Sequence, residues 1–398
     1  MITENISVEK DKLLVALNNH DNALRDLALK IHAHPELSFN EQKAVGWLTS
    51  YLQKEGFKVN QGVAGLGTAF TAEWEGAPGG PIIGILAEYD ALPTLGHACG
   101  HNLIGTAAVG AAVALKEAFP SLPGTIRVIG TPAEEGGGGK IYMCDAGVFD
   151  DLDVAMMVHP KNSSMVLRGG LACVSAKLKF FGKESHAASA PEKGISALDA
   201  MLNSYSAINS LRQFFTDDVR IHGIVTHGGD AANIVPGYCE AEFIIRASTR
   251  KQLLDVKSKV FESALQASRA VGAECEIDEG LVYAERNNNK ALAHLFQANW
   301  ETIGVEVVEP PKVGGIGSSD IGNVGQVTAT IHPYIKIGES INHTFEFTDE
   351  TKSEGGMIGM HQAAAGLAMT AYDLCTDAEA LKNVRNEFEN WKKENEKQ

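Results

Sequence analysis

Within seven residues, Gly96-His97-Ala98-Cys99-Gly100-His101-Asn102, the chain places a thiol and two imidazoles directly after a strand-like apolar run, Pro81 to Ala87. Such donors at such spacing suit a divalent metal. Glu88, Asp90 and Pro93 end the run with acidic and turn chemistry, so the donors fall at the carboxyl end of a strand, where α/β sheets place their sites. Thr131-Pro132-Ala133-Glu134-Glu135 follows a second such run, Thr125 to Gly130, and brings two adjacent carboxylates to the same edge. Adjacent side chains diverge, so one can bind metal while the other faces a substrate. His159 follows a third run, Val154 to Val158, and Asn342-His343-Thr344 lies in a polar loop ahead of a long helix. Two cations about 3.5 to 4 Å apart in this mixed sulfur, nitrogen and oxygen set would clamp the attacking and leaving oxygens of a hydrolysis, with the spare carboxylate as general base. His186, Asn233 and Arg246 complete the candidates.

Other features carry less. Glu135-Gly136-Gly137-Gly138-Gly139-Lys140 is not a phosphate loop, because Ile141 replaces the Ser or Thr and Glu134 stands where the first glycine belongs. The glycines instead allow a tight turn beside a metal-binding carboxylate. His20, His294 and His361 are assigned no role. The six cysteines, at 99, 144, 173, 239, 275 and 375, include no CxxC pair, which argues against a disulfide framework.

The elements that must position these residues are legible. Helical spacing over 11 to 34 and 41 to 55 precedes strands at 68 to 74 and 81 to 87, a buried helix from Asn102 to Ala118 and a further helix from Gly139 to Ala146. This predicts a mostly parallel sheet with helices on its faces. Near residue 170 the pattern changes to a strand (Leu171 to Phe181), a helix (Ile195 to Phe214), two strands (Ile221 to His227, Cys239 to Ala247), a helix (Leu253 to Val271) and a strand (Glu274 to Asp278), the order of a ferredoxin-like α+β layer. Alternation returns with Ala291 to Ile303, Val327 to Ile331 and Glu354 to Leu374, and the tail from Glu387 reads as a solvated end. The expectation is an α/β catalytic domain in two parts, 1–168 and 285–398, interrupted by a smaller domain at 169–284. With 398 residues, a formal charge of -16 and no basic aromatic-interleaved stretch, nucleic acid and anionic membrane are poor partners. A polar amino terminus and no apolar run of spanning length predict a soluble, cytoplasmic protein.

Taken together, His34-Pro35-Glu36-Leu37-Ser38, Glu88-Tyr89-Asp90-Ala91-Leu92-Pro93, the Cys99 segment, Pro132-Ala133-Glu134-Glu135-Gly136, Ser185-His186-Ala187-Ala188, Asn233-Ile234-Val235-Pro236 and Asn342-His343 resemble the metal-dependent aminoacylase and carboxypeptidase clan of metallopeptidase family twenty. The Cys-Gly-His form is similar to its amidohydrolase subfamily D, above all to the aminoacylase-1-like dipeptidases and aminobenzoyl-glutamate hydrolase subunits. The resemblance implies a phosphorylase/hydrolase-like mixed-sheet catalytic domain with an inserted dimerisation lid. It implies that Cys99 bridges two divalent ions, Zn or Mn with Co as a further candidate, with His101 and His159 on one ion and Glu135 and His343 on the other. Glu134 would be the base, and His186 of a partner subunit would stabilise the oxyanion. Asn233 and Arg246 would hold a substrate carboxylate, a pairing to which a guanidinium is well suited. Where the usual family pattern is His-x-Asp, this chain has Glu88-Tyr89-Asp90, so Asp90 is expected to orient His101 rather than bind metal. Asn102 replaces a frequent Asp, which would change how tightly one metal is held.

The expected function is hydrolysis of the amide bond of an N-acyl amino acid, a dipeptide or an aminobenzoyl-glutamate-type conjugate by a homodimer. The alternatives are hydrolytic deamination of an amine-bearing aromatic and a catalytically silent metal-binding scaffold. Loops such as Gly314 to Asp320 would line the acyl pocket.

Overall fold

The computed structural model describes residues 7–311 and 317–396. The chain begins with helices α1 (Val8–His32) and α2 (Gln42–Lys54), then strands β1 (Lys58–Gln61), β2 (Phe70–Glu75) and β3 (Ala77–Ala87). Helix α3 (His101–Ala118), strand β4 (Pro123–Gly130), helix α4 (Gly139–Asp145) and short strands β5 (Val154–Met156) and β6 (His159–Lys161) complete this part. The inserted region contains β7 (Ala172–Phe181), β8 (Ser185–His186), α5 (Ala197–Leu211), β9 (Arg220–His227), β10 (Ile234–Val235), β11 (Tyr238–Ala247), α6 (Arg250–Ala270) and β12 (Glu274–Glu279). Then come α7 (Lys290–Thr302), the single turn α8 (Ile321–Val324), β13 (Ala329–Ile331), β14 (Tyr334–Lys336), α9 (Phe345–Glu350), α10 (Glu354–Thr376) and α11 (Ala378–Glu396).

Two compact units result: one formed by residues 1–169, 287–316 and 323–398, the other by 170–286 with 317–322. In the larger unit a six-stranded sheet runs in the order β1-β2-β4-β3-β5-β13. The four strands from β4 to β13 are parallel, as expected, and β2 and β1 add antiparallel at one edge. Strand β1 was not legible because its side chains are almost all exposed and show no apolar alternation. The first fifteen residues of α3, His101 to Leu115, are all buried, and their many Ala and Gly side chains let it lie close to α1 and α10. A continuous apolar core joins these helices to the sheet.

The carboxyl-terminal segment differs from the expected solvated end. It is helix α11, whose Leu381, Val384 and Phe388 are buried at helical spacing that the surrounding Glu, Lys and Asn obscure in the sequence. Glu387 caps α7 by accepting the Lys290 and Ala291 N–H groups, both at 2.8 Å.

In the smaller unit an antiparallel sheet, β12-β7-β11-β9, carries α5 and α6 on one face. Its chain order and strand order are those of the predicted ferredoxin-like layer. Strand β11 pairs with β7 over its whole length, Tyr238 opposite Phe181 and Ala247 opposite Ala172. Among the described residues no helix is long and apolar enough to cross a membrane.

Candidate metal centre

The carboxyl ends of β3, β4 and β5 deliver most of the chemistry to one place. Gly100 starts α3 with a φ of +81°, and a Cβ on it would lie 2.7 Å from Pro160 Cγ, so only glycine brings the Cys99 and His159 segments this close. The His343 loop is tied to both, with the His343 N–H donating to Ala98 O at 2.9 Å and the Asn342 amide to Pro160 O at 3.2 Å.

Two overlapping donor groups form, Cys99 with His101 and His159, and Cys99 with Glu135 and His343, each with its ligand atoms within 4.8 Å of one another. Cys99 belongs to both. Its Sγ lies 3.2 Å from His343 Nε2, which is 3.6 Å from Glu135 Oε1. Glu134 joins His101 and Glu135 in a third such group. The five expected ligands and the expected base are therefore neighbours.

The imidazoles are held with one nitrogen turned inward. His101 Nδ1 donates to Asp90 Oδ1 at 2.9 Å, and His159 Nδ1 donates to Pro160 O at 2.7 Å. Each bond leaves Nε2 as the available donor. Asp90 also accepts the Glu135 N–H at 3.0 Å, so one buried carboxylate orients both the His101 imidazole and the backbone of Glu135. Burial alone would raise the Asp90 carboxyl, but facing His101 it lies below its ordinary value. Burial opposes charge on His101 as well, and Asp90 nevertheless pulls its pKa well up.

Among the described residues, His101 Nε2, Glu135 Oε1 and Glu88 Oε2 are buried with no hydrogen-bond partner. His101 Nε2 faces Glu88 Oε2 at 3.4 Å, Glu135 Oε1 at 3.9 Å and Glu134 Oε2 at 4.0 Å. Three carboxylates converging on one imidazole leave an excess of negative charge that a cation would balance. The Cys99 thiol is pushed well up by burial and by the facing Glu135 and Glu134, so a coordinated cation is what would make it a thiolate. The residues present fit a divalent metal pair.

Two buried features were not anticipated. Lys140, in the first turn of α4, reaches back with Nζ to Glu88 Oε1 at 2.6 Å, and both side chains are at most 1% exposed. The sequence held only a hint of this, a lysine ending a glycine run. Asn102 donates its amide to Ala28 O at 3.3 Å and Thr351 O at 3.2 Å. A carboxylate has no proton for those carbonyls, so Asn is a packing choice here.

The remaining candidates belong to the smaller unit. His186 is exposed and pairs across a two-stranded ribbon with Ile234, while the Ala187 N–H donates to Asn233 O at 3.0 Å. His186 and Asn233 are thus neighbours. Arg246 lies near the far end of β11, half-buried, donating to Ser318 Oγ at 2.7 Å. It lies nine positions along the chain from Gly237, which binds the ribbon-bearing turn at Gly182, a distance of about 30 Å. Asn233 and Arg246 are therefore not brought together within one chain. Residues 314–316 of the expected pocket loop lie outside the described residues.

An edge where strand ends gather thiol, imidazole and carboxylate donors around a spare glutamate defines a hydrolase of the metal-dependent kind. Residues 84–365 match the profile of peptidase family M20/M25/M40, and the chain belongs to that family. It is 39% identical over 378 residues to the Xaa-Arg dipeptidase of Mus musculus, covering 91% of this chain and 88% of that protein. It is 34% identical over 307 residues to one of the subunits of the p-aminobenzoyl-glutamate hydrolase of Escherichia coli, covering 70% of this chain and 63% of that protein. A dinuclear metal-binding peptidase of family M20 from Bacillus subtilis has the same fold, with a TM-score of 0.69 at 21% identity over 89% of this chain and 99% of that one. The relatives place the protein among the metal-dependent amidohydrolases and peptidases.

Proposed function

We propose that the chain is a cytoplasmic, homodimeric dipeptidase and aminoacylase that cleaves the amide bond on the amino side of a residue bearing a free carboxylate. The observation that carries this reading is the pair of donor groups sharing Cys99 with Glu134 beside them. The 39% identical relative is a dipeptidase for Xaa-Arg substrates, so dipeptides ending in arginine are the first substrates to test, ahead of aminobenzoyl-glutamate.

Cys99, His101 and His159 would hold one cation and Cys99, Glu135 and His343 the other, zinc or manganese being the best match to mixed donors. Bound there, the ions would polarise the scissile carbonyl and acidify water. Glu134 accepts the proton of the attacking water and returns it to the departing amine. Asp90 keeps the His101 imidazole in the tautomer that presents Nε2.

Arg246 pairs with the substrate carboxylate. Its distance from the His186 ribbon, about 30 Å along β11, supports a His186 supplied by the partner subunit to the developing oxyanion, with Asn233 arriving beside it. The edge strand β9 supports the dimer, since Ile224 and Val225 on it are 64% and 49% exposed with an unpaired ladder alongside. Six cysteines scattered along the chain with no CxxC pair agree with a reducing compartment.

Glu134→Gln tests the base directly. Turnover of Xaa-Arg dipeptides should fall by about 10³-fold while elemental analysis still finds the metal. Near-normal turnover with metal retained would remove Glu134 from that role.

A further inference from the structure

The chemistry above leaves unused the segment from Glu36 to Glu41, yet that segment is fastened to both strand ends that carry the centre. Leu37 bridges Ala91, and the Ala91 N–H donates to Glu36 O at 2.8 Å. The Ser38 hydroxyl reaches Asp90 Oδ2 at 3.5 Å. The Glu36 carboxylate accepts from the Lys43 and Ala44 N–H groups and so fixes the start of α2.

Glu41 reaches furthest. It is fully buried, and its Oε1 accepts two backbone N–H groups, those of Phe39 and Ala133, each at 2.9 Å. Both residues have the left-handed backbone that side chains other than glycine rarely adopt, with φ of +63° and +60°. One oxygen therefore holds two strained residues from segments far apart in sequence. Around them the packing leaves no slack, since a Cβ on Gly137 would lie 2.5 Å from the Phe39 ring and 2.6 Å from Ala133 Cβ. Ala133 directly precedes Glu134. On the other side, the Glu135 N–H is held by Asp90 at 3.0 Å, so the backbone of Glu134 is gripped between two buried carboxylates.

We propose that Glu41 is a positioning residue for Glu134, holding Ala133 in the left-handed conformation that aims the Glu134 carboxylate at the metal-binding cluster. The inference rests on Glu134 being the base. Without the Glu41 acceptor, Ala133 relaxes toward ordinary backbone angles and the Glu134 carboxylate moves with it. A glycine at 133 takes a positive φ without steric opposition and keeps the turn in place.

The test uses full-length, zinc-loaded protein carrying Glu41→Ala, Glu41→Gln, Ala133→Gly and the Glu41→Ala/Ala133→Gly pair. Turnover of an Xaa-Arg dipeptide, zinc content, and hydrogen exchange of the peptide spanning 131–139 are read together. Glu41→Ala should lower kcat by about 10²-fold with KM within about twofold, keep its zinc and speed exchange in 131–139. Adding Ala133→Gly should recover about tenfold of the lost kcat, which repair of general stability elsewhere would not do. Glu41→Gln, whose amide oxygen still accepts both N–H groups, should stay within about threefold of the parent. Unchanged exchange and unchanged kcat in Glu41→Ala overturn the proposal and leave the assignment of Glu134 standing. Faster exchange with unchanged kcat also overturns it, and then points at the assignment of Glu134 itself. Should Glu41→Ala not fold, Glu41→Gln decides: kcat within threefold sustains the proposal, and a tenfold loss overturns it.

Discussion

Replacing Lys140 by methionine isolates the buried ion pair beneath the metal-binding cluster. The Lys140 ammonium lies 2.6 Å from Glu88 Oε1 with both side chains closed to solvent. At an effective dielectric constant of about 20, that separation corresponds to roughly 6 kcal/mol of attraction, most of which offsets the desolvation of the two ions. The pair's net contribution is thus small, but Lys140→Met leaves the Glu88 carboxylate buried against Glu134 and Glu135 around His101, and the expected loss is about 3 to 5 kcal/mol. Glu88→Met added to Lys140→Met should recover most of that loss, to within about 1 kcal/mol of the parent, because the Glu88 charge that Lys140 compensates is then gone as well. The four tryptophans, at 47, 74, 300 and 391, all lie in the larger unit, so their fluorescence during urea unfolding of chelated protein reports that unit alone. A loss below about 1 kcal/mol for Lys140→Met, or a double variant no more stable than the single one, would refute the reasoning.

Cys99→Ser removes the donor common to both groups, and zinc titration against a competing chelator should show affinity weakened by at least about 100-fold; near-parent affinity would take Cys99 out of the centre. Arg246→Ala should raise KM for free-carboxylate dipeptides by about 10- to 100-fold while leaving carboxyl-amidated analogues unaffected, and equal effects on both would refute a carboxylate contact. Val225→Lys puts a charge on the exposed β9 edge, and sedimentation should show the dimer shifted to monomer, whereas an unchanged coefficient would move the interface elsewhere.

The smaller unit's central strands were readable because β7 and β11 bury every second residue, as in β11 from Cys239 to Ala247. The clustering of Cys99, His101, Glu134, Glu135 and His159 was readable because their segments follow apolar runs whose strand ends converge in such a sheet, whereas His343, in a polar loop, was placed by its motif. What was not readable depends on partners far away in sequence. Glu88 and Lys140 are 52 positions apart and Glu41 and Ala133 are 92 apart, and no local pattern announces either pair. Helix α11 was missed for a different reason, since a narrow apolar stripe is diluted by the charged residues around it. The grouping of Asn233 with Arg246 came from resemblance; Asn233 adjoins the separate β8–β10 ribbon, whereas Arg246 lies near the carboxyl end of β11.

The insertion of one unit into the other also sets an order on synthesis. The sheet of the larger unit closes only when Ala329 of β13 pairs with Val154 of β5, a partner made 175 residues earlier. At about 5 to 20 residues per second, that edge stays open on the ribosome for roughly 10 to 35 seconds, while residues 170–286 emerge as a stretch able to fold locally. Chains arrested near residue 325, with β12 outside the ribosome and β13 not yet made, should therefore hold a protease-resistant inserted unit beside a labile, chaperone-binding first half, and equal resistance of both halves would show that β5 does not wait for β13.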